Sequence, residues 1–98
     1  MEIADLNTDQ LIVICRRYDA NFLGVFGSFA RGEAKPDSDL DLVVRFASRK
    51  SLLALVRLER ELSEALGRKV DVLTEASISP YLRDHIRAET KVLYDEQP

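Results

Sequence analysis

The run Leu40-Asp41-Leu42-Val43-Val44-Arg45-Phe46 constrains the fold more than any other segment of the chain. Leu40, Leu42, Val44 and Phe46 alternate with Asp39, Asp41, Val43 and Arg45, a period of two that predicts a strand with one apolar face and a second face that opens on two carboxylates. Upstream, Phe22 to Phe26 is short and apolar, is interrupted by Gly24 and stops at Gly27-Ser28, as a buried strand ending in a tight turn does. The link from Gly27 to Ser38 contains Pro36 and a polar, aperiodic stretch over 33–38 after a short helical turn. It is of hairpin length, so these two strands can be antiparallel neighbours.

Leu11, Ile14, Cys15 and Tyr18 recur at helical spacing behind Thr8 as a cap. Leu55, Leu58, Leu62, Ala65 and Leu66 form a stripe over 51–66, with Gly67 where a left-handed C-terminal residue is needed. The segment 69–73 predicts a third strand, Ser79-Pro80 the start of a late helix, and 90–94 a last strand. Strands that alternate with helices predict an α/β (α+β) chain: a small mixed sheet of about four strands flanked by helices.

The 98 residues, 46% apolar and 32% charged, are expected to form one domain over 1–98. A net charge of −3 argues against direct binding to nucleic-acid backbones. Cys15 is the only cysteine and His85 the only histidine, which excludes disulfide and structural zinc scaffolds. Cys15, on the apolar stripe, is expected in the core, and His85, among charged neighbours, in a solvated or structural role. With an acidic start and no run of apolar residues long enough to span a bilayer, the expectation is a cytoplasmic protein without membrane attachment.

Asp37, Asp39 and Asp41 occupy alternate positions, which on a strand places them on one face, where they repel one another unless a cation intervenes. Two readings stand: a site for Mg²⁺, or solvated acids in a polar turn. The EF-hand is excluded because Leu42 stands where its loop needs glycine and Ser48 where it needs glutamate. Gly27 and Gly32 have P-loop spacing, but Glu33 replaces the phosphate-binding lysine. Phe26-Gly27-Ser28-Phe29-Ala30 lacks the flanking glycines of a hydrolase nucleophile elbow. Gly27-Ser28 remains as either a phosphate cradle built of free backbone N–H groups or an ordinary serine helix cap.

Ten residues separate Gly27-Ser28 from Asp39-Leu40-Asp41, and the run from Gly27 through Leu42 resembles the signature of the DNA polymerase beta-like nucleotidyltransferase superfamily. Within it the chain is similar to the minimal nucleotidyltransferases, small stand-alone domains of the MntA type found as antitoxins beside HEPN-domain toxins. The resemblance implies a nucleotidyltransferase fold, with catalytic and metal-binding roles for Asp39, Asp41 and, from a later strand, Asp71. It implies two Mg²⁺ ions, nucleotide binding by Gly27 and Ser28, and a third phosphate contact from Arg31, which is equally placed to pair with a nearby acid. The implied activity is transfer of AMP from ATP to a tyrosine hydroxyl of the partner toxin within a hetero-oligomer. The alternatives are an antitoxin that only occludes its toxin and a nucleotidyltransferase acting on a small molecule.

Overall fold

A computed structural model of the chain describes residues 1–96. Its centre is a mixed four-stranded sheet of β1 (Ala20–Phe26), β2 (Leu40–Phe46), β3 (Val70–Thr74) and β4 (Lys91–Asp95), in the order β3-β2-β1-β4. β1 pairs antiparallel with both β2 and β4, whereas β2 pairs parallel with β3. The parallel step requires a crossover, which α2 (Leu52–Leu66) supplies.

The period-two pattern of β2 sorts its side chains as expected. Leu40, Leu42 and Val44 join Leu23 and Val25 of β1 and Val70 of β3 in a core closed by α1 (Thr8–Arg17) and α2, through Leu11, Ile14, Cys15, Leu58 and Leu62. Ser51 caps α2 by accepting from the Ala54 amide at 3.1 Å, and Gly67 ends it with φ 66°. The opposite sheet face carries Phe22, Val43 and Val92, roofed by α3 (Pro80–Glu89) across an apolar cleft of ≈ 210 Å³. Ser79 caps α3 with Pro80 in its first turn. α3 has no fully buried residue, so it covers this face without a closely packed stripe.

β3 is an edge strand, yet two of its outward amides are satisfied. The Val70 N–H donates to Ser63 Oγ at 3.1 Å and the Val72 N–H to the Glu59 carboxylate at 2.7 Å, both acceptors coming from α2.

Several local expectations are corrected. The cap of α1 is Asn7, whose Oδ1 accepts from the Gln10 amide at 3.1 Å; Thr8 is already helical and Tyr18 follows the last turn. No helix forms after Gly27-Ser28: the Arg31 amide reaches Gly27 O at 3.1 Å and the Glu33 amide Ser28 O at 2.9 Å, closing one turn that Gly32 ends with φ 73°. Asp37 lies in a turn before β2 and shares no strand face with Asp41. Cys15 is buried as expected. No helix among the described residues is long and apolar enough to cross a membrane.

Candidate active site

β1 leads directly into Gly27, whose φ of 74° is left-handed backbone that other residues adopt at a cost. A second constraint fixes glycine there more firmly. A Cβ at this position would lie 2.3 Å from Oδ2 of Asp41, so turn and acid touch across the β1–β2 pair. Asp41 is delivered by the face of β2 that points away from α1 and α2. Because β2 and β3 run parallel with Asp41 opposite Asp71, both acids project from the same face on adjacent strands, about 4.8 Å apart along the ladder. Asp39 lies one residue before β2, exposed, with Oδ2 4.0 Å from Lys69 Nζ.

The electrostatics of this corner are unbalanced. Partial burial, reinforced by the charges of Asp71 and Asp39, raises the Asp41 carboxyl above its ordinary value, and the nearby Arg31 only partly opposes this. Among the described residues, no three His, Cys, Asp or Glu side chains converge closely enough to hold a metal ion as they stand. Asp39 leans toward Lys69 and Asp41 is short of positive neighbours. The donors are all carboxylate oxygens, the chemistry that suits Mg²⁺ rather than zinc or copper.

In front of the acids lies an open depression of ≈ 450 Å³ whose wall includes Gly27, Ser28, Arg31, Asp39 and Asp41. Asp71 stands behind Asp41 and is not part of that wall. The amides of Ser28, Phe29 and Ala30 donate to nothing among the described residues, so the turn keeps N–H groups available to an anion. Arg31 is ion-paired, through its guanidinium, with Glu89 at 2.5 Å and Glu33 at 3.1 Å.

Two residues of the site escaped sequence reasoning. Glu89, the last residue of α3, accepts the Gly27 amide at 2.9 Å as well as pairing with Arg31, and its side chain is 14% exposed. His85, one turn earlier, lines the same depression with Nε2 3.5 Å from the second Glu89 oxygen. The Glu89–Gly27 bond spans 62 residues of sequence, and the one available signal was His85 and Glu89 at helical i, i+4 spacing.

The chain that sets a glycine-serine turn against Asp39 and Asp41 at the start of β2, with a third acid on the parallel neighbour, is matched over residues 9–93 by the nucleotidyltransferase domain family. The chain belongs to that family. It is 49% identical over 80 residues, 82% of this chain and 86% of the relative, to a Methanocaldococcus jannaschii protein that carries the provisional name protein adenylyltransferase. A toxin–antitoxin crystal structure with AMP-PNP superposes with a TM-score of 0.85 at 28% identity, covering 94% of this chain and 76% of that one. An MNT antitoxin in complex with a tri-AMPylated HEPN toxin of Shewanella oneidensis superposes with a TM-score of 0.75 at 25% identity, covering 93% and 71%. As a nucleotidyltransferase of the minimal type, the chain has β1, β2, β3, α2 and α3 wholly within the matched residues, and α1 and β4 all but their outer ends.

Proposed function

We propose that this nucleotidyltransferase transfers AMP from ATP to a tyrosine hydroxyl of a HEPN-domain toxin and so acts as its antitoxin. The observation that carries the reading is the contact between Gly27 and Asp41, which sets a turn with free amides directly beside an acid cluster short of positive charge. The AMP-PNP bound in the related toxin–antitoxin structure and the AMP groups on the related HEPN toxin support the same reading.

Asp39 and Asp41 would hold two Mg²⁺ ions, with Asp71 completing the set. When bound, these ions would neutralise the triphosphate and orient it for in-line attack. Ser28 and the free amides that follow it bind the β- and γ-phosphates through N–H donors and the serine hydroxyl. Gly27 contributes by lacking a Cβ, which leaves Asp41 its place. Asp71, beside Asp41 on the neighbouring strand, accepts the proton that the tyrosine hydroxyl loses. The new bond joins the tyrosine oxygen to the α-phosphorus, the bond from that phosphorus to the bridging oxygen breaks, and pyrophosphate leaves.

Incubation with the cognate HEPN protein and Mg-ATP should add about 329 Da per AMP to that protein, and it should stay inactive after the two are separated. Asp41→Asn should remove the transfer while the chain stays folded. An unmodified toxin that regains activity on separation overturns the enzymatic reading in favour of occlusion.

A further inference from the structure

Beside the free amides just described, the turn already holds an anion at its start, and the chain itself supplies it. One oxygen of Glu89 accepts both the Gly27 amide, at 2.9 Å, and the Arg31 guanidinium, at 2.5 Å. These are the first amide of the turn and its one cationic side chain. A phosphate oxygen seated on the same donors would lie within a few ångströms of the carboxylate, and two anions cannot share donors at that range without strong repulsion.

The position of Glu89 makes this arrangement conditional. It is the last residue of α3, where the unpaired carbonyls of the helix end disfavour negative charge. Gly27 and Arg31 offset that cost, so a ligand that takes them leaves Glu89 uncompensated. α3 is also free to respond, because none of its residues is fully buried. Beyond Glu89 itself, its end is seated by Thr90, which packs where a Cβ on Gly24 would come within 2.4 Å of its Cγ2, and by the pairing of β4 with β1 that follows.

We propose that Glu89 is the resident anion of the phosphate cradle, holding the Gly27 amide and Arg31 until a polyphosphate displaces it, so that nucleotide binding and the docking of the α3 end compete. The proposal rests on the preceding reading only in taking the ligand to be a polyphosphate. Glu89 is then a gate on ground-state binding. A fixed orienter of Arg31 would have the opposite effect when removed.

The test uses the full chain and inorganic tripolyphosphate with Mg²⁺ as the probe, titrated calorimetrically into the parent, Glu89→Gln and Glu89→Ala. Loss of the competing charge should tighten binding roughly threefold or more in both variants, the scale of one ion pair. Saturating probe should also speed amide exchange at residues 86–90 of the parent. Glu89→Gln preserves shape, so it remains informative where Glu89→Ala loosens α3. Unchanged or weaker binding in Glu89→Gln, exchange at 86–90 that slows, or no binding by any variant overturns the gate. Tighter polyphosphate binding in Glu89→Gln without any AMP transfer to a toxin would refute the proposed function and leave the gate standing. Transfer without tighter binding would do the reverse.

Discussion

Gly27→Ala places two costs on the chain, and a second glycine separates them. Gly67 has nearly the same backbone, φ 66° against 74°, but no atom within 4 Å of where its Cβ would go. Gly67→Ala therefore carries only the left-handed backbone penalty, roughly 1–2 kcal/mol. For a chain of this size that corresponds to a fall in Tm of about 4–8 °C per kcal/mol. Gly27→Ala carries the same penalty plus a collision: its Cβ would lie 2.3 Å from Asp41 Oδ2, 3.2 Å from Cγ and 3.4 Å from Cβ. With three atoms in the way, the carboxylate has to turn about χ1, which adds about 0.5–1.5 kcal/mol if it leaves its rotamer well. Displacing a catalytic oxygen by an ångström is worth on the order of a hundredfold in rate. Urea denaturation and AMP-transfer assays on both variants should show similar stabilities within about 1–2 kcal/mol, with activity retained in Gly67→Ala and lost in Gly27→Ala. If the two variants are indistinguishable in both measurements, the Gly27–Asp41 contact does not govern the site.

Gly24→Ala should destabilise by about 1–3 kcal/mol through overpacking against Thr90, and Thr90→Ser, which removes the offending Cγ2, should restore part of that; a double-mutant cycle in urea that shows no coupling contradicts the packing described. Burial pushes the Cys15 thiol from 9.0 up to about 12, so the folded chain keeps it neutral where the unfolded chain ionises it. This stability is fully present below about pH 9 and lost as pH rises toward 12, up to roughly 4 kcal/mol, and Cys15→Ala should flatten that slope; parallel denaturation curves for the two proteins would refute it.

Much of the sheet was legible because β2 has a clear period of two, and the hairpin-length link after Gly27 allowed the antiparallel pairing that the structure shows. Asp71 was reached through the family resemblance, which implies a third acid from a later strand, and its place between Val70 and Val72, where an acid is costly without a counter-charge, is consistent with that. Asp37 was drawn into the acid set by spacing alone, which cannot tell a strand from the turn that precedes it. The short turn after Ser28 does not grow into a helix because Gly32 turns left-handed and closes the segment after one turn. Glu89 was out of reach for a different reason: its i, i+4 spacing from His85 says nothing of Gly27, and its place there goes with the close packing of the next residue, Thr90, on Gly24 of β1.

The acceptors that α2 lends to β3 also decide how copies of this chain can meet. An outer strand with unpaired amides is a template on which a strand from another molecule can add, extending the sheet from chain to chain. On the β3 side that route is closed, because Ser63 and Glu59 already occupy the amides an incoming strand would need, and Glu59 presents a negative charge along the edge. Intermolecular strand pairing, whether with a partner or in aggregation, is therefore disfavoured at the edge of the sheet next to Asp71.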